Sequence, residues 1–376
     1  MRILLAPDKF RGALTAAEAA AAMAAGARDV APDCELDVCP MGDGGEGSGE
    51  ILADALRCTR ESTVVFDPLG RPRAAAWWRS RDGEVAIVEM AQASGLGLLA
   101  LHDRLPLRTT SFGTGQLLRT VELRGSRRIQ LCVGGSATVD GGAGCLQALG
   151  WGLLDDHGRE IETAVAGGQL LDVADLRPPD APYCGDITVL CDVDHPLTGP
   201  RGAAPVFAPQ KGASPEQVAR LQRGLEHWAD VLARRTGRDV RSLAHGGAAG
   251  GLPAALYACC NARLVAGAAA IGDSLRLRQR VRAADMILTG EGRLDAQTAG
   301  GKVVAEVGRL AREAGRPAVA FVGQFAAPSG SDLQRAAAEL GLCDIIEIAA
   351  RGRPRPLALR RCADDLRAAA ARFLRR

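Results

Sequence analysis

The chain has 376 residues, 47% of them apolar and 24% charged, with a net charge of +2 and only 3% aromatic residues. That length holds about two domains and a sizeable core. The near-neutral balance excludes a whole-molecule field for nucleic acid or anionic membrane, and so few aromatics argue against base-stacking surfaces.

No apolar run reaches the roughly eighteen residues of a transmembrane helix. Met1–Phe10 lacks the length and cleavage site of a signal peptide. Eleven cysteines occur without C-x-x-C spacing, as expected of free thiols in a reducing cytoplasm. The expectation is a cytoplasmic monomer or homodimer acting on a small molecule, with no nucleic-acid or membrane partner.

Arg2–Ala6 reads as a short buried strand stopped by Pro7. Thr15 and Glu18 form a capping-box signal ahead of an Ala-rich helix. Leu36–Cys39 predicts a second strand, running into Gly42-Asp43-Gly44-Gly45-Glu46-Gly47 and then a helix near Ser48. Thr63–Phe66, Ala74–Arg79 and Val85–Met90 read as three further strands. Ile129–Val133 leads into a Gly-rich stretch from Gly134 to Gly144 and a short helix to Leu149. Ile187–Cys191 is a buried strand ending at Asp192-Val193-Asp194. Met286–Leu288 runs into a loop carrying Glu291 and Asp295, with a helix starting near Lys302, and Ala318–Val322 is a last strand.

Strands alternating with helices predict an α/β fold: a Rossmann-like parallel-sheet domain with a second, β-richer α/β domain nested in it. The expected division is 1–61 with 106–150 and 280–376 for the first domain, and 62–105 with 151–279 for the second. Ligands bind beyond the carboxyl ends of such strands, where each Gly-rich loop lies.

Only three lysines occur, Lys9, Lys211 and Lys302, against forty-three arginines, and each sits in a Gly-rich turn. A surviving lysine marks a position that needs a compact ammonium. Lys9 and Arg11 precede the first helix, where cations and a helix N-terminus suit a carboxylate. Gly134, Gly135 and Ser136 offer backbone N–H groups to an anion, and Asp140 is placed to orient a hydroxyl or hold Mg²⁺. Lys211 follows Gln210 within reach of a phosphate. Glu291 and Asp295 stand just upstream of Lys302, an acid pair with an ammonium. Asp192 and Asp194 share a strand face. Thr109-Thr110-Ser111 reads as a capped helix start, with Ser111 a further candidate to touch substrate oxygens. Gly42-x-Gly44-x-x-Gly47 also matches the dinucleotide fingerprint, with Asp67 about twenty residues on. An NAD-dependent dehydrogenase of a small hydroxy acid is therefore the alternative, against which stand Asp43 and Glu46 inside the loop.

Several stretches together resemble the type 1 glycerate kinase family. They are Ala6–Gly12, Pro40–Gly47, Val88–Ala91, Thr110–Gly115, Gly134–Thr138, Cys191–Asp194, Phe207–Ala213 and Leu288–Asp295. The resemblance implies ATP- and Mg²⁺-dependent phosphorylation of D-glycerate, mostly to 2-phosphoglycerate in bacterial members. It implies a Rossmann-like domain with a second α/β domain nested in it. On this basis Asp8, Lys9, Arg11, Asp43, Glu46 and Ser111 are the expected substrate contacts. Asp192 is the expected base, with Asp295 second and Lys302 catalytic. Gly134, Gly135, Ser136, Asp140, Lys211 and Glu291 are expected at the cofactor, with Asp43 and Glu291 at the metal. Val139 and His195 stand where the family commonly has Asn.

Overall fold

The computed structural model describes residues 1–294, 302–325, 330–350 and 352–375. In chain order the strands are β1 (Arg2–Leu5), β2 (Glu35–Val38), β3 (Thr59–Phe66), β4 (Pro72–Arg79), β5 (Val85–Glu89), β6 (Arg128–Cys132) and β7 (Gly152–Leu154). They continue with β8 (Asp175–Arg177), β9 (Asp186–Cys191), β10 (Arg263–Ala266), β11 (Met286–Glu291), β12 (Ala318–Val322) and β13 (Asp344–Glu347). None of the described helices is long and apolar enough to cross a membrane.

The chain folds as two units, Met1–Asp43 with Gly267–Arg376, and Gly44–Ala266. The second therefore interrupts the first in sequence. The first unit is built on a parallel sheet in the order β13-β12-β11-β1-β2. Both of its faces are covered over the inner strands, which is why β1 and β12 are near-continuous apolar runs, while the edge strands β2 and β13 carry acidic residues. Side chains alternate across the pleat: Ile3, Leu5, Val319 and Phe321 pack with Met23 and Leu366. Leu4, Ala6, Ala320 and Val322 pack on the opposite face with Val304 and Val307. The Thr15 capping box forms as expected, with Glu18 N–H donating to Thr15 Oγ1 at 3.1 Å and Thr15 N–H to Glu18 Oε2 at 2.8 Å.

The second unit carries a mixed sheet in the order β10-β9-β6-β5-β4-β3, with β3, β4 and β5 antiparallel and the remaining pairs parallel. A two-stranded antiparallel ribbon, β7-β8, lies beside a helical subcore around Trp228, Leu225 and Leu146. The division differs from the one expected from sequence. Segments 44–61 and 106–150 belong to the second unit, because β6 hydrogen-bonds between β5 and β9 and cannot join the first sheet. Segment 267–279 belongs to the first unit, where Ala268 and Leu277 pack under β1 and β11.

In the first unit the helices Ala16–Arg28 and Cys362–Leu374 meet at Gly26. A Cβ built there would come within 2.3 Å of the Arg367 carbonyl oxygen, so only glycine permits this approach. Gly26→Ala should destabilise the protein by about 1–3 kcal/mol through overpacking, read as a lower urea midpoint with an unchanged denaturant slope.

Candidate active site

In the first unit, strand order reverses between β1, which leads to β2, and β11, which leads outward to β13. Open α/β sheets bind ligands at such a switch point, beyond the carboxyl ends of the strands. Asp8 follows β1 and Glu291 ends β11, so both fall there. Asp8 N–H donates to the Gly290 carbonyl at 2.9 Å, which seats the turn on β11. The Asp8 carboxylate accepts Lys9 N–H at 2.7 Å, and Lys9 Nζ lies 3.4 Å from Asp43 Oδ1. Asp8, Asp43 and Glu291 are all buried. Burial, and after it the charge of Asp43, pushes the Asp8 carboxyl up to about 8; Lys9 opposes the rise and Glu291 adds to it. Of the expected residues, the first unit thus gathers Asp8, Lys9, Asp43 and Glu291. Arg11 is exposed, and Lys302 is the N-cap of the helix Val303–Ala314. Asp295 lies outside the described residues, as does Ala296–Gly301.

In the second unit, the loop after β6 is fastened from below by Lys211. Its Nζ donates to Ser136 Oγ at 2.8 Å and to the Thr138 carbonyl at 2.7 Å, and the residue is 3% exposed. Burial pulls its ammonium down to about 7, against the opposing charges of Asp140 and Asp192. Lys211 is therefore a brace inside the loop, with two hydrogen bonds to protein oxygens, where sequence had suggested a direct phosphate contact.

The expected anion cradle keeps two of its three amides. Gly134 N–H is taken by the Gly44 carbonyl at 3.1 Å. The N–H groups of Gly135 and Ser136 donate to no acceptor among the described residues. Gly134 is needed for another reason: a Cβ there would come within 2.4 Å of Gly45 Cα and 2.9 Å of Asp192 Oδ2. The Asp192 carboxylate thus lies against this loop. β9 ends at Cys191 and the chain bends at Asp192, so the strand-face argument for Asp194 fails. Asp194 points to solvent, its side chain 59% exposed. Glu46 is exposed, and its Oε2 would stand 3.8 Å from a Cβ at Gly135.

Asp140 and Ser111 form a closed internal network. Asp140 is fully buried and its Oδ2 accepts both Ser111 N–H and Ser111 Oγ–H at 2.7 Å, while Ser111 Oγ accepts Cys145 N–H at 3.0 Å. Burial raises the Asp140 carboxyl above its ordinary value, with the Ser111 bonds opposing. Both residues were expected at ligands; the structure instead uses them to join the starts of the helices Phe112–Leu123 and Ala143–Ala148.

Gly42–Gly47 does not form a dinucleotide cradle. β2 belongs to the first unit, whereas the helix Ser48–Ala55 belongs to the second. The place of a pyrophosphate at that helix start is filled by Glu89, whose Oε1 accepts Gly47 N–H at 2.9 Å and Gly49 N–H at 2.7 Å. Asp67, the acidic residue that follows that fingerprint, is spent on Leu69 N–H, Arg71 N–H and the Arg71 guanidinium.

Two contributors were missed from sequence. Glu89, a carboxylate ending an apolar strand, was given no role. His245-Gly246-Gly247-Ala248-Ala249-Gly250-Gly251, a further Gly-rich run, abuts the β6 loop, with Gly141 N–H donating to the Gly250 carbonyl at 2.9 Å. Val139 is fully buried against the helical subcore. His195 stacks edge-on against Phe207, ring centroids 5.1 Å apart, and donates from Nδ1 to the Arg201 carbonyl.

A glycerate kinase family model matches residues 3–376. The chain belongs to the glycerate kinase family. As a member it is a phosphotransferase. It is 41% identical to a glycerate kinase of Halalkalibacterium halodurans over 327 residues, 86% of this chain and 85% of that protein. It is 39% identical to the glycerate 2-kinase of Escherichia coli K12 over 330 residues, 86% of each chain. A crystal structure assigned as a glycerate kinase 2 of Salmonella typhimurium LT2 superposes with a TM-score of 0.80 at 38% identity, covering 99% of this chain and 97% of that one.

The depressed Lys211 sets a sign. Between about 7 and the ordinary lysine value of 10.5 the unfolded chain binds the proton and the folded one does not, so stability rises with pH across that window. Lys211→Met should remove that rise: the difference in urea midpoint between parent and variant should shift toward the parent from pH 7 to pH 9.5.

Proposed function

We propose that this chain transfers the terminal phosphoryl group of ATP to the 2-hydroxyl of D-glycerate, giving 2-phosphoglycerate and ADP. The observation that carries this reading is the pair of acceptor-free amides at Gly135 and Ser136, on a loop that also receives the Asp192 carboxylate. Backbone amides at a strand end suit a phosphate, and a carboxylate beside them suits a hydroxyl proton. The printed names of the relatives, glycerate kinase and glycerate 2-kinase, support the substrate and the position phosphorylated.

In this proposal catalysis is positioning and charge stabilisation along an in-line path. Lys9 and Arg11 hold the glycerate carboxylate. Asp192 accepts the proton of the attacking hydroxyl. Gly135 and Ser136 present N–H groups to the phosphate, on a loop held in shape by Lys211 and by the Asp140–Ser111 network. Lys302 offsets charge on the transferring group, and Glu46 contacts the substrate.

Among the described residues no three His, Cys, Asp or Glu side chains are grouped to hold a metal ion. Magnesium fits this arrangement, since it commonly takes one or two carboxylates and otherwise substrate phosphates and water. Asp43 and Glu291 are the residues to hold it, being the carboxylates whose charge bears on the buried Asp8. When bound, the ion supplies neutralisation of nucleotide phosphate charge.

ADP release from ATP that depends on added D-glycerate tests the activity, and phosphorus NMR of the product tests the position. The expected product signal is that of the 2-phosphate; a 3-phosphate overturns the regiochemistry, and glycerate-independent ADP release overturns the substrate. Asp192→Asn should lower kcat by about 10²-fold or more.

A further inference from the structure

The bend that carries Asp192 is clasped by a second turn of the same unit, centred on His245. The chain leaves β9 at Cys191, and no strand pairing supports Val193, Asp194 or His195. Three hydrogen bonds from the second turn hold these residues instead. His245 Nδ1 lies 2.8 Å from the Val193 carbonyl; a carbonyl only accepts, so Nδ1 carries the proton. His245 N–H donates to Asp194 Oδ1 at 3.3 Å, and Gly247 N–H donates to the His195 carbonyl at 2.8 Å. The two turns approach so closely that a Cβ at Gly247 would stand 2.1 Å from the Pro196 carbonyl oxygen.

His245 makes these contacts from the left-handed region, at φ +64°. That conformation is uncommon outside glycine, though Asn, Asp and His adopt it more readily than other residues. Its surroundings hold it there, and such outliers collect where geometry serves a site. The imidazole is largely enclosed, its side chain 19% exposed.

We infer that His245 is a positioning residue that sets the orientation of Asp192 through the Val193 carbonyl. The inference rests on Asp192 being the base proposed above. The Val193 carbonyl lies one residue beyond Asp192, so its anchor steadies the bend from which the Asp192 side chain meets the Gly134 loop, and small displacements of a reacting group are costly.

The test is a set of variants assayed by glycerate-dependent ADP release. His245→Gly keeps the backbone conformation accessible and removes the ring. It should lower kcat by about tenfold to 10²-fold, leaving KM for glycerate within about twofold. His245→Asn tolerates the left-handed backbone and offers a side-chain N–H to Val193, so it should recover most of the loss. In an Asp192→Asn background, assayed at high enzyme concentration, His245→Gly should add little further loss, because its effect runs through Asp192. Three results overturn the inference alone: His245→Gly at the parental rate beside a slow Asp192→Asn, no recovery with His245→Asn, or a full additive loss in the double variant. Asp192→Asn at the parental rate overturns the base assignment itself.

Discussion

A buried ammonium shapes the second unit's loop. Lys211 lies almost wholly out of water, and isolated charge there is costly. Its two hydrogen bonds go to Ser136 and Thr138, on either side of Ala137 in the loop after β6. Tying both points fixes the turn between β6 and the helix Ala143–Ala148, in which the Gly135 and Ser136 amides have no acceptor among the described residues. Asp140 and Asp192 supply the opposing charge that limits the depression of the lysine.

Carboxylates perform different work in the two units. Glu89 and Asp140 are buried on backbone N–H groups and act as internal caps of helix starts. Asp8, Asp43 and Glu291 sit together at the strand reversal of the first sheet with Lys9 as their cation, an arrangement that drives up the proton affinity of Asp8. The caps are satisfied by geometry made of main chain. The second group brings three carboxylates together, a setting that suits a cationic or metal-bearing partner better than a bare anion.

Much of the fold was legible along the chain. β1, β2, β4 to β6, β9 and β12 lie within two residues of the runs read from sequence, β3 and β11 extend beyond theirs, and the Thr15 capping box lies where its residues stand. β10 and β13 were not legible: each is four residues long, and each gains its identity from the strand it pairs with. Of the candidate site, the Gly134–Ser136 loop, Asp192, Asp43 and Glu291 were candidates from residue type and spacing, and Asp8 from the family resemblance. His245 was not, because the distance in sequence between it and Val193 carries no periodic signal.

By itself the sequence determined the local vocabulary: which segments are buried strands, where glycine permits a turn, and which few lysines and carboxylates stand at strand ends. The ordered set of Gly-rich stretches also sufficed for the family. Only tertiary structure decided which polar side chains are spent on the protein's own groups. A side chain's hydrogen-bond partners come from distant parts of the chain: Ser111 for Asp140, Gly47 and Gly49 for Glu89, Ser136 for Lys211. Residue type states what a group can do; burial and the partners met after folding decide whether any of that capacity remains for a ligand.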